Sequence, residues 1–152
     1  MRLQELIPPE HVLIGLEAAD KWDVIARMTE HLVARGVIAD AQARSFHDCV
    51  VTRERSMSTG MERGIAIPHA AVDGLTQVVA ALAILKAPAG IPFDSIDGSP
   101  AWLIVLLLIP RPQKLLHIRT LADLARHLGN EDVRRALRAA RTPQEAWGAL
   151  AR

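Results

Sequence analysis

The sequence predicts an α/β fold: a single layered domain, residues 1–152, with a central sheet of mixed direction flanked by helices. Three observations predict it. Two continuous apolar runs, Val78 to Leu85 and Trp102 to Leu108, have strand length and suit strands covered on both faces. Segments with apolar residues at helical spacing surround them. Turn-rich connections separate the elements, and no repeat, low-complexity stretch or Pro/Ser/Gly linker divides the chain.

In chain order, His11 to Leu16 reads as a β-strand. Asp20 follows as an N-cap, and Trp22, Ile25, Met28, Leu32 and Val33 then form one apolar stripe, which Gly36 ends in the left-handed position. Asp40 repeats the N-cap signal for a helix from Ala41 to Arg55. The small residues Ser56 to Gly60 lead to a short β-like run, Gly64 to Ile67, stopped by Pro68. Between the two apolar strands, Pro88 to Pro100 with Gly90, Pro92 and Gly98 is loop. From Pro112 the pattern is helical, with Leu116, Thr120, Leu121, Leu124 and Leu128 on one face and Gly129 at the end. Glu131 to Ala140 forms another helix, and Thr142 with Pro143 caps a last one.

Composition narrows the function. Eighteen basic against 17 acidic side chains leave a net charge of +1. No general polyanion footprint results, so nucleic acid and anionic membranes are not the expected partners. Neither apolar run approaches the roughly 20 residues of a spanning helix, and the charged N-terminus does not read as a secretion signal. A single cysteine, Cys49, reads as a small core filler and fits a reducing cytosol, so the expected location is cytoplasmic. Five aromatic residues and no Tyr leave little for stacking on sugars or bases. Of the six histidines, no two stand at the spacing of a helical metal site; neither a P-loop, a dinucleotide fingerprint nor a Gly-x-Ser-x-Gly elbow is present. No metal and no cofactor is therefore expected.

One segment departs from generic scaffold: Arg53-Glu54-Arg55-Ser56-Met57-Ser58-Thr59-Gly60, then Gly64-Ile65-Ala66-Ile67-Pro68-His69-Ala70. A strand ending at Ile67 delivers His69 into a loop, with Pro68 fixing φ and holding Ile67 extended. Small neighbours leave room for a second body, and the hydroxyls and N–H groups of Ser58, Thr59 and Gly60 suit an anion pocket. From composition alone, His69 reads equally as a hydrogen-bonded loop residue, the Ser-Thr-Gly run as a turn, and Arg53 and Arg55 as complements to a helix dipole.

These residues resemble the enzyme IIA components of the bacterial phosphoenolpyruvate-dependent phosphotransferase system, of the mannitol/fructose/nitrogen type. The resemblance rests on the Arg53-Glu54 pair, the Ser58-Thr59-Gly60 turn, Gly64 to Ala70, and a helix of the form His-x-x-Thr-Leu-x-x-x-Ala from His117 to Ala125. Leu128 to Ala140 looks like the stand-alone nitrogen-regulatory members in particular. Ala70 stands where glycine is common in the family, a mild change that touches only local loop flexibility.

The resemblance implies a IIA-like fold and a phosphotransferase component with a phosphohistidine intermediate. His69 would accept the phosphoryl group from an HPr-like carrier protein, His117 would help hold its oxygens, and Arg53 would stabilise the transferring charge. Ser58 and Thr59 are possible hydroxyl donors. Met57, Met61 and Leu115 are candidates for the partner rim from proximity alone. The other four histidines, His11, His31, His47 and His127, read as surface or structural, and Arg134, Arg135, Arg138 and Arg141 as a solvated helix face.

Three outputs stand open at this point. A nitrogen-type regulator would bind downstream targets, a transporter or sensor kinase, according to its phosphorylation. A sugar-specific IIA for a fructose- or mannitol-like sugar would pass the group to a separate IIB component. A third alternative is a binding domain that keeps the fold and transfers nothing.

Overall fold

The computed structural model describes residues 2–151. After the short helix α1 (Leu3–Leu6) and a 3-10 turn at Pro9–His11 come β1 (Val12–Leu16), α2 (Lys21–Ala34), α3 (Asp40–Ser56), β2 (Ile65–Ala66) and β3 (His69–Val72). Then follow β4 (Val79–Leu85), β5 (Leu103–Pro110), α4 (Lys114–Leu128), α5 (Glu131–Ala139) and α6 (Pro143–Ala149). Helix α2 begins where Asp20 accepts the Asp23 N–H, and Gly36 beyond its end takes a φ of 72°. Thr142 caps α6 in the same way, with Pro143 as first helical residue.

β5 is the organising strand, and all eight of its residues are buried. It pairs antiparallel with β4, which pairs parallel with β1, and its other edge carries β2 and then β3, both parallel to it. The period of two sends Leu103, Val105, Leu107 and Ile109 into a core shared with α4, α5 and α6. Ile104, Leu106 and Leu108 enter a second core against α2 and α3. The sheet is thus mixed in direction, covered on both faces and flanked by helices, as its apolar runs require.

Several sequence expectations shift. His11 belongs to the 3-10 turn, because Pro8-Pro9 opens that turn and the strand starts only at Val12. Asp40 is the first residue of α3 and not its cap; the Gln42 side chain instead accepts the Ala39 N–H at 3.1 Å. Neither β3 nor α1 is marked by a hydrophobic pattern in the sequence. His69 opens β3 where a loop was expected. Pro68 has no N–H to give, so the edge ladder stops after Ala66, and it resumes at His69 in register with Leu107.

The basic C-terminal helix is more than a solvated face. Arg134 donates to the Leu128 and Gly129 carbonyls at the end of α4, and Arg138 stacks 4.2 Å over the Trp102 ring and reaches the Pro88 carbonyl. Arg135 does pair on the surface, with Glu131 and Asp132. Cys49 is half-buried, packing against the α2/α3 core on one side and lining a groove on the other. Among the described residues no helix is long and apolar enough to cross a membrane.

Candidate functional site

The site forms at the sheet edge that β3 makes. Ala70 and Val72 face the α2/α3 core, so the strand's alternation turns His69 and Ala71 toward the α4 side. Helix α4 brings His117 over this edge. The two imidazoles stand with ring centroids 5.1 Å apart, at an interplanar angle of 82°, edge to face. From the other side, the last turn of α3 supplies Arg53. Two adjoining cavities, about 930 and 520 Å³, meet at Arg53, His69, Ala71, Arg111 and His117.

His69 is 6% exposed, and its Nδ1 lies 2.7 Å from the Ile67 carbonyl oxygen. A carbonyl only accepts, so Nδ1 carries the proton and the Nε2 lone pair is left free. Burial pushes its protonation below the ordinary histidine range, and the nearby Arg53 charge and His117 add to this against the pull of the Ile67 carbonyl. His117 is lowered as well, first by burial and then by Arg53. Burial therefore disfavours charge on both imidazoles, which stand beside the guanidinium groups of Arg53 and Arg111. Such a set attracts an anion and offers it a nucleophilic nitrogen.

The Arg53-Glu54 pair divides its work between the two faces of α3. Arg53 lines the groove and donates to the Met57 carbonyl at 3.0 Å. Glu54 points inward, 2% exposed, and accepts from the Lys21 ammonium at 3.2 Å, the Thr59 N–H at 2.9 Å and the Thr59 hydroxyl. Lys21 in turn reaches Asp94 and lies 4.9 Å over the Trp22 ring. This network anchors the Ser58-Thr59-Gly60 turn.

Of the two roles open to Ser58 and Thr59, turn former or anion-site hydroxyl, the structure places them in the first, since neither lines the groove. Thr59 spends its hydroxyl on Glu54, and Ser58 donates to the Phe93 carbonyl while accepting the Gly60 N–H. A Cβ on Gly60 would lie 2.5 Å from the Phe93 oxygen, so the turn is clamped against the Phe93 loop. Among the three rim candidates, Met57 (67%) and Leu115 (79%) are exposed. Met61 is half-buried and packs against the α4-side core, which takes it off the rim. Ile118, 65% exposed one residue past His117, joins Leu115; it lies off the buried stripe of α4, a signal readable in the sequence.

Arg111 was the other residue missed. It follows β5 directly and reaches both cavities only because β3 and β5 pair. The remaining histidines serve structure: His11 is held by the Ala80 carbonyl, His31 by Glu10 and His127 by Leu150, while His47 pairs with Asp48. Among the described residues no three His, Cys, Asp or Glu side chains converge on a metal position.

Comparison with known proteins agrees over nearly the whole chain. Residues 5–152 match the family described as phosphoenolpyruvate-dependent sugar phosphotransferase system, EIIA 2. A nitrogen regulatory protein of Pseudomonas aeruginosa is 33% identical over 147 residues, 97% of this chain and 93% of that protein. A fructose-specific EIIA component of Haloferax volcanii is 32% identical over 149 residues, 98% of this chain and 94% of that one. The crystal structure of the nitrogen regulatory protein IIA-Ntr from Neisseria meningitidis superposes with a TM-score of 0.84 at 27% identity, covering 97% of this chain and 98% of that one.

Proposed function

Since the chain belongs to the EIIA 2 family of the phosphoenolpyruvate-dependent sugar phosphotransferase system, we propose that it is a cytoplasmic phosphocarrier whose residues 1–152 act as one IIA unit and whose His69 takes a phosphoryl group from an HPr-like carrier. The observation that carries this reading is the pairing of His69 Nδ1 with the Ile67 carbonyl, which leaves Nε2 free in a groove shared with His117 and Arg53.

The chemistry balances without a proton crossing. The Nε2 lone pair attacks phosphorus, the donor's N–P bond breaks as the new one forms, and the donor imidazole leaves with the bonding electrons. His69 keeps its Nδ1 proton on Ile67, whose carbonyl then steadies the positive character of the phosphorylated ring. A phosphoryl group brings about two negative charges and three acceptor oxygens. Arg53 offsets that charge, and an edge N–H of His117 holds an oxygen. Helix α4 begins with no side-chain cap, and Gln113 at its start lines the cavity that His69 and His117 share, so the positive end of the helix lies beside the site.

The output we assign is nitrogen-type regulation, in which the phosphorylated and unphosphorylated forms bind different proteins, a transporter or sensor kinase among them. It is supported by the nitrogen regulatory relatives and the IIA-Ntr likeness. The second reading, donation to a separate IIB component for a sugar, is favoured by the fructose-specific relative. Incubation with phosphoenolpyruvate, the first enzyme of the system and HPr, followed by mass measurement, tests the shared step. Wild type should gain one acid-labile phosphoryl group and His69→Ala none; a wild type that stays unmodified overturns the reading. Adding a fructose-type IIB to the loaded protein separates the outputs, since only a sugar-specific IIA discharges rapidly.

A further inference from the structure

We infer that Arg111 is a second phosphoryl-gripping arginine of this site, latched in the unphosphorylated protein by Asp73. The inference rests on the reading of His69 as acceptor.

Its backbone fixes its position. The Arg111 N–H donates to the Val72 carbonyl at 2.9 Å, adding one rung to the β3/β5 ladder beyond Pro110. Because Val72 turns its carbonyl toward β5, the preceding Ala71 carbonyl faces the open edge of the sheet. The Arg111 side chain crosses the strand end to that edge, where Nη2 meets the Ala71 oxygen at 3.3 Å and Nε meets Asp73 Oδ1 at 3.1 Å. Ala71 is two residues beyond His69 on the same face, about 7 Å along the strand. The guanidinium thereby lines both cavities that converge on His69 and His117.

The present partners of Arg111 are weak. Its side chain is 55% exposed and that of Asp73 is 81% exposed, and water screens exposed pairs of this kind so that they hold only weakly. A phosphoryl dianion on Nε2 of His69 offers more charge, and its oxygens match the planar fork of a guanidinium in two parallel hydrogen bonds. Arg111 then exchanges a single carboxylate oxygen for two phosphoryl oxygens. No bond to phosphorus forms or breaks in this exchange, and the guanidinium stays charged throughout. Two arginines grip the group from opposite sides, Arg53 from α3 and Arg111 from the end of β5. The Asp73 carboxylate, idle once released, adds a negative charge to the rim of the loaded form.

The test uses the full chain loaded by phospho-HPr, with Arg111→Ala, Arg111→Lys, Asp73→Asn and, as a charge-loss control, Lys86→Ala. Lys86 pairs with Glu17 and lines neither cavity. Arg111→Ala should load at least about tenfold more slowly, the scale of one hydrogen bond to a charged group. In a phosphorus NMR titration its phosphoryl resonance should shift to a higher midpoint, since losing a cation makes the group less acidic. The lysine variant should fall between, as a point charge without the fork, and Lys86→Ala should match wild type. Asp73→Asn, which keeps Arg111 and frees it, should load faster than wild type by up to about fivefold. If wild type loads and Arg111→Ala shows the same rate and midpoint, Arg111 is no part of the grip. If Asp73→Asn loads no faster, the latch is wrong. A wild type that never loads refutes the acceptor reading itself, a distinct result.

Discussion

Glu54 illustrates how a residue beside the chemistry can matter without touching it. Its carboxylate is buried and takes hydrogen bonds from Lys21 and from two groups of Thr59. Removing it leaves the Lys21 ammonium with only the exposed Asp94 carboxylate and strips the Thr59 N–H of its partner, which costs about 3 kcal/mol. Glu54→Ala should therefore lower stability by that amount in urea unfolding, whereas the exposed Glu17→Ala should leave it nearly unchanged; equal losses would refute the account. Residue-scale legibility follows sequence distance. Arg53, Glu54 and His69 lie within one short stretch, so the sequence motif that carries them is visible. Arg111 and Asp73 are 38 residues apart, and only strand pairing joins them. Ser58 and Thr59 are legible from sequence equally as turn formers and as hydroxyl donors, and in the structure the turn's own needs, Glu54 and Phe93, consume their hydroxyls.

At the scale of elements, the helices announced themselves through caps and stripes, as Asp20, Thr142 and the α4 face illustrate. β3 did not, because it is only four residues long, His69-Ala70-Ala71-Val72, with two poor strand formers at its centre, and is strand by pairing with β5. Its register depends on the approach through β2, where Gly64 sits at a φ of 81° and its carbonyl accepts from both Trp102 and Leu103. A Cβ there would lie 2.3 Å from Trp102 Nε1. Gly64→Ala adds backbone strain of about 1–3 kcal/mol to that overlap. The expected result is a clear drop in melting temperature together with slower loading of His69, since β2 leads into the strand that carries it. A variant as stable and as fast as wild type would show that the segment tolerates a different path.

For the whole molecule, the apolar runs made the two-sided sheet legible, while strand directions and the order β1-β4-β5-β2 were beyond any local pattern. Acid links the fold to the site. His69 and His117 are both lowered from the ordinary value, so the unfolded chain takes up protons that the folded one refuses. Their contribution to stability is complete above about pH 6.5 and declines as pH falls below it, toward the folded values. Denaturation at a series of pH values should show this decline, and the double variant His69→Gln/His117→Gln should flatten it; an unchanged slope would assign the acid sensitivity elsewhere. One feature bears on how such a protein meets its partners. His69 is fastened into a sheet ladder, its ring tied to its own backbone through Ile67. If His69 is the acceptor proposed above, an imidazole anchored this way is a stationary dock, and whatever delivers or collects a phosphoryl group there must do the travelling. The approach angle is then written into the visitor's shape.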